Sequence, residues 1–224
     1  MSVKTRSEEL FETLCSRRKL QCVRIQEGKN KTADYEVALG FTTLIVEVKQ
    51  LDPNEEDKRL EVVWGTPDSP GVVAPSDRVQ GLISDGYPQV KRSAGGKAPT
   101  MIVVYNNSGD WNWIDAFAVS KAMFGSFGFR LGLQTDHTIA VIRHGYMGHR
   151  KVTKSTFRSL SVVGVMKRKG ANELHLDCYH NPFAKIPVSP ELLLPLASAQ
   201  FIHLNPHEKG FVTWKPNTIE TYPS

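Results

Sequence analysis

The sequence is short of the features that mark secreted, membrane-spanning or zinc-built proteins. Only three of its 224 residues are cysteine, namely Cys15, Cys22 and Cys178. None follows a C-x-x-C spacing. An odd count without a framework excludes a disulfide scaffold and fits reduced thiols in the cytoplasm, each acting as a small hydrophobe. No apolar run approaches the ~20 residues that cross a bilayer, so no membrane partner is expected. The stretch Met1-Ser2-Val3-Lys4-Thr5-Arg6 has no apolar core, so no signal peptide is expected. There is no internal repeat and no low-complexity tract. The seven histidines are not spaced as in a zinc finger, and no ββα unit surrounds them. His144, His149, His175 and His180 read as structural or as phosphate contacts, the structural reading being favoured. Trp111, Trp113 and the aromatics from Phe124 to Phe129 read as core or loop anchors, not as a base-stacking platform.

What remains is a chain long enough to bury a full core as one domain, residues 1–224. Its net charge is +5. The basic residues gather at Arg17-Arg18-Lys19, Lys29-Asn30-Lys31, Lys91-Arg92, Arg143 to Lys154 and Lys167-Arg168-Lys169. Each group alone reads as solvated surface. Together they are compatible with a nucleic-acid partner.

The most informative stretch runs from Ala33 to Lys49. It alternates like two strands around Gly40-Phe41. A two-residue II′ loop with glycine first sets Leu39 opposite Thr42. Counting back sets Asp34 opposite Glu47. Directly opposed residues lie with Cβ atoms ~5 Å apart, and like charges there repel. A bound cation would relieve the repulsion. Lys49 shares the face of Glu47 because side chains repeat every two residues. Tyr35, Val37, Leu39, Leu44, Val46 and Val48 form an apolar face that should meet a core. Asp34, Glu36, Ala38, Thr43, Ile45, Glu47 and Lys49 form a second face that should open on a cleft or water. The plainer alternative is a solvated face with an incidental Glu47–Lys49 ion pair.

Around this hairpin, residues 6–19 read as a helix with Ser7 at its start and Leu10, Phe11, Leu14 and Cys15 on one arc. Glu8 borders that arc. Strands are expected at 21–26, 33–39 and 43–50. Residues 51–76 read as a loop-rich insertion with a short strand at Leu60 to Trp64 and a mobile loop at Gly65 to Pro75, suited to a lid or clamp. A second helix is expected at 76–92, capped by Ser76 and weakened by Gly81, Gly86 and Pro88. Strands are expected again at Pro99 to Tyr105, Thr138 to Ile142, Leu160 to Val165 and Glu173 to Tyr179. Ile114 to Val119 is ambiguous. The tail carries a short helix near Pro190 to Ala199. The order indicates an α/β, or α+β-like, domain.

This pattern resembles the PD-(D/E)XK nuclease superfamily, with its restriction-endonuclease-like core of helix, three-strand meander, helix and strand. The resemblance covers roughly residues 6–105, leaving 106–224 as an extension with extra strands. Asp34 is similar to the family's first acidic residue, although Ala33 stands where the motif often has proline. Glu47-Val48-Lys49 is similar to its E-x-K, and Glu8 to the carboxylate that many members carry on the first helix. Gln89 and Lys91 resemble polar residues of the second helix that position substrate. The resemblance implies a Mg²⁺-dependent endodeoxyribonuclease. Asp34, Glu47, the Val48 carbonyl and Glu8 would hold the metal, which Mn²⁺ can replace, and Lys49 would act on the attacking water. It implies a nucleic-acid partner, most readily DNA, and allows a homodimer. The alternative is a non-catalytic nucleic-acid-binding or scaffold protein on the same fold.

Overall fold

The computed structural model describes residues 4–26, 28, 31–63, 75–107, 114–133, 139–148, 150–169, 173–203 and 211–214. The expected mobile loop up to residue 74, and the expected anchors Trp111 and Trp113, lie outside the described residues.

The first helix, α1 (Arg6–Arg17), is capped ahead of Ser7. Thr5 is the N-cap, and Thr5 with Glu8 forms a reciprocal capping box. The meander is built from β1 (Cys22–Arg24), β2 (Tyr35–Leu39) and β3 (Thr42–Leu51), all antiparallel. The expected strand at Leu60 to Trp64 is instead part of α2 (Glu55–Val63), and Trp64 lies outside the described residues. The overlooked signal is a cap. Asp57 N donates to Asn54 Oδ1 at 2.7 Å, and Asn54 N donates to Asp57 Oδ2 at 2.9 Å.

Helix α3 (Ser76–Ala94) is one continuous piece. Its N-cap is Pro75, and no side chain caps it, so Ser76 is its first residue and not its cap. It runs through Pro88, which cannot donate to the Ser84 carbonyl one turn back. Burial of Val79, Ile83, Val90 and Ala94 on one stripe holds the helix together across that gap.

The chain then forms β4 (Thr100–Asn106), α4 (Ala116–Phe124), β5 (Ser126–Leu133), β6 (Ile139–Met147), β7 (Val162–Lys169), β8 (Glu173–His180), α5 (Pro190–Leu193), β9 (Ala199–Ile202) and β10 (Val212–Trp214). The ambiguous segment at Ile114 is thus the entry to α4, whose N-cap Asp115 accepts from Ala118 N at 2.8 Å. The tail helix stops at Leu193, and the chain beyond it joins the sheet as β9 and β10.

Eight strands make one mixed sheet in the order β1-β2-β3-β4-β7-β8-β9-β10, while β5 and β6 pair as a separate ribbon. Strands β3, β4 and β7 are parallel. One face buries Tyr35, Val37, Leu39, Leu44, Val46 and Val48 with Phe11 and Leu14 of α1. This is the apolar hairpin face read from the sequence. The other face buries Ile45, Ile102, Val104 and Val165 beneath α3 and α4. The architecture is mixed α/β. Among the described residues no helix is long and apolar enough to cross a membrane.

Candidate functional site

The hairpin has the expected register. Leu39 pairs with Thr42, Val37 with Leu44 and Tyr35 with Val46. Gly40 takes φ of 60°, and Phe41 is not among the residues with positive φ, which is the II′ pattern. The ladder reaches Asp34, whose amide donates to the Val46 carbonyl at 3.0 Å. Asp34 therefore faces Glu47 across the two strands.

Glu47 is buried to 2 % exposure, yet its carboxylate is only half engaged. Lys49 Nζ lies 2.6 Å from Glu47 Oε1. Glu47 Oε2 is buried and has no hydrogen-bond partner. A buried, unsatisfied carboxylate oxygen is costly and rare. Burial first, and the Asp34 charge second, push the Glu47 carboxyl up to about 8, although Lys49 opposes both. Asp34 is also held above the usual carboxylate range, chiefly by burial and further by the charge of Glu8. Its Oδ2 accepts from Val48 N at 2.7 Å. Main-chain groups on one side of a strand recur every two residues. Val46 turns its carbonyl toward β2, so the Val48 carbonyl turns the same way, just past the end of β2. Asp34, Glu47 and that carbonyl thus gather hard oxygen donors at one spot.

Among the described residues no three His, Cys, Asp or Glu side chains come together as a metal cage. Two carboxylates and a main-chain carbonyl are what this spot offers. That set fits Mg²⁺, which binds through one or two carboxylates and keeps several waters. The free Glu47 oxygen fits it too, because a cation would supply the partner that oxygen lacks.

Glu8 has other engagements. Its Oε2 accepts from Thr5 N at 2.6 Å and Thr5 Oγ1 at 2.8 Å, and its Oε1 takes Arg24 Nη2 at 3.1 Å. It packs with α1 on the apolar side of the sheet, and reaches Asp34 through its charge.

Beside Lys49 an open cleft of about 620 Å³ is lined by Lys31, Lys49, Ser84, Asp85, Pro88, Gln89 and Arg92. Gln89 is therefore where the sequence placed it, and its Nε2 donates to the Asp85 carbonyl at 3.3 Å. Lys91 is exposed and does not line the cleft. Lys31 and Arg92 are the residues missed. Arg92 Nη1 donates to the Lys31 carbonyl, tying the strand entry to α3. The signal was present, since Ser84, Asp85, Pro88, Gln89 and Arg92 keep i, i+1, i+4, i+5, i+8 helical spacing. Gly86 lets α3 come close. A Cβ there would sit 3.2 Å from Glu47 Cγ and 3.4 Å from Ile102 Cδ1.

Of the four histidines, His149 lies outside the described residues, while His175 and His180 are engaged locally. His175 Nε2 meets Glu173 Oε1 at 2.8 Å, and His180 Nε2 meets Gln200 Oε1 at 2.9 Å.

Comparisons of the chain with protein-family models, with curated proteins and with solved structures return no match.

Proposed function

We propose that the protein is a metal-dependent nuclease that hydrolyses phosphodiester bonds, in DNA before RNA, on a restriction-endonuclease-like core. The observation that carries this reading is the buried Glu47 carboxylate, set against Asp34 with one oxygen unpaired and Lys49 on the other. A solvated strand face with an incidental ion pair does not require that burial. The order of helix, three-strand meander and strand β4, with α2 added before the long helix α3, supports the fold assignment.

Asp34, Glu47 and the Val48 carbonyl would hold Mg²⁺, which supplies charge neutralisation on the phosphate and a more acidic water. Lys49 orients the attacking water and sets a positive charge beside the reacting phosphate. Gln89, Arg92 and Lys31 seat the neighbouring phosphates from the cleft wall. Glu8 keeps Arg24 and the start of α1 in place behind Asp34. The free thiols of Cys15, Cys22 and Cys178 suit a reducing compartment, so we place the protein in the cytoplasm.

The test is cleavage of supercoiled, linear duplex and single-stranded DNA and of RNA with Mg²⁺ or Mn²⁺. Lys49→Ala and Asp34→Ala should each cost about 10²-fold or more in cleavage, with circular dichroism showing both variants folded. Wild-type protein that binds nucleic acid but cuts none of these forms with either ion would instead mark a binding or scaffold protein.

A further inference from the structure

The charge of this chain is unevenly placed. Residues 116–172 contain ten lysines and arginines and a single carboxylate, Asp136, a net charge of +9. The rest of the chain holds 18 basic against 22 acidic residues, a net charge of −4. The whole positive excess thus lies outside the strands that carry Asp34, Glu47 and Lys49.

Two parts of this segment carry that charge. The first is the loop between β6 and β7. Lys151 and Val152 amides bind the Met123 carbonyl at the end of α4, at 3.1 and 2.9 Å. Thr153 Oγ1 accepts from Ser155 N at 3.2 Å and Thr156 N at 3.0 Å, which folds the loop tightly. Phe157 stacks on Tyr87 of α3 with ring centroids 4.1 Å apart. Tyr87 immediately precedes Pro88 and Gln89, which line the cleft. The loop is therefore fixed to the helix that walls the site. Lys154 and Arg158 are exposed on it. Among the described residues of the segment, ion pairs join Lys121 to Asp77 at 3.9 Å and Lys167 to Asp177 at 2.6 Å, whereas Arg150, Lys151, Lys154 and Arg158 form none. Arg150 Nε is buried without a hydrogen-bond partner.

The second part is the β5–β6 ribbon. Its register sets Arg130 directly opposite Arg143, next to a bulge. Like charges so opposed destabilise a ladder, and no carboxylate occurs in either strand to offset them. The base of the ribbon is held by buried Tyr146, which bonds Ser120 at 2.9 Å and His203 at 3.1 Å.

We propose that residues 150–158 of the β6–β7 loop, together with the β5–β6 ribbon, form a second surface, apart from the catalytic cleft, that grips the sugar–phosphate backbone of duplex nucleic acid without metal. The identity of the partner rests on the nuclease reading; the existence of a polyanion surface rests on the charge and its scaffolding. Backbone contacts by lysine and arginine release counterions, so each contributes a slope of about 0.9 in log affinity against log salt.

The experiment is anisotropy of a short labelled duplex in chelator across a salt series. Combined Lys151→Gln, Lys154→Gln and Arg158→Gln should reduce the slope by roughly 2–3 and weaken binding at least about 10-fold at moderate salt. Arg130→Gln with Arg143→Gln should reduce it by roughly 2. Lys58→Gln, Arg59→Gln and Lys97→Gln together remove equal charge elsewhere and should change neither quantity appreciably. Melting curves must show every variant folded. Unchanged slopes in both segment variants, or an equal loss in the control, would overturn the proposal. So would binding to anionic vesicles with none to duplex. Cleavage assays separate this from the nuclease reading. Wild type that binds duplex in chelator but never cuts removes the nuclease and leaves the surface, while wild type that cuts with unaltered variant slopes does the reverse.

Discussion

Glu47 concentrates the chemistry of the molecule in one side chain. Its carboxyl, raised to about 8 in the folded chain, starts from an ordinary value of 4.5. A folded-state pKa raised in this way favours the protein while the proton stays on. That contribution is complete below about 4.5 and is lost as pH rises through about 8. Glu47→Gln removes the titration and can donate toward Asp34 while accepting from Lys49. In chelator at pH 8.5 to 9 it should therefore melt above wild type, with the gap closing toward pH 5. A gap that stays constant with pH, measured by calorimetry, would show that Glu47 does not titrate in this window. Gly86 sets the space around the same side chain. Gly86→Ala places a Cβ 3.2 Å from Glu47 Cγ, so the carboxylate must shift by a few tenths of an ångström. On the proposed nuclease reading, cleavage should fall about 10-fold or more, since a small misplacement of a reacting group is expensive. The fold should change little, because Ala is the better helix former. Unchanged activity in that variant would mean that Glu47 has room to spare.

At the scale of elements, local signals were legible and remote ones were not. The β2–β3 register came from Gly40-Phe41 and the apolar alternation alone, both of which act within a few residues. The face that meets α1 came from the same pattern. The caps were harder. Ser7 and Ser76 are good capping residues by type, but Thr5 and Pro75 hold the positions, because helix starts are set by where the apolar stripe meets the sheet. Helix α2 was mistaken for a strand at Leu60 to Trp64, where its β-branched end outweighed the Asn54–Asp57 box. Lys31 and Arg92 could not be joined in advance, since they stand 61 positions apart in the chain, one at the strand entry and one near the helix end. Thr5→Ala tests the cap. It should cost about 1 kcal/mol of stability by urea unfolding. It also removes one of the two donors to Glu8 Oε2, while the main-chain amide of residue 5 at 2.6 Å remains. A loss well below that value would mean that Glu8 and Arg24 hold the start of α1 without the hydroxyl.

At the scale of the molecule, the second half of the chain was the least legible. Strand β5 is broken by Gly128 and Gly132, so its alternation is weak. Strand β9 has four residues and comes after a helix of four, and its partner β8 runs parallel to it. Such pairings are fixed by burial across the whole domain and leave little trace in a short window. The basic clusters were visible, but whether they shared a surface depended on α3, which carries both Gln89 in the cleft and Tyr87 under Phe157. One helix thus links the acidic centre to the basic segment.

The hairpin register has a consequence beyond the site it builds. The same alternation that buries Tyr35, Val37 and Leu39 sets Asp34 against Glu47. One residue inserted at Gly40-Phe41 would turn β2 over, exposing its core side and delivering Asp34 to the wrong side of the sheet. Mis-threaded copies of this chain would therefore lose their core together with the Asp34–Glu47 pair. Correct folding acts as a proofreading step, and any copy with a closed core already has its carboxylates aligned.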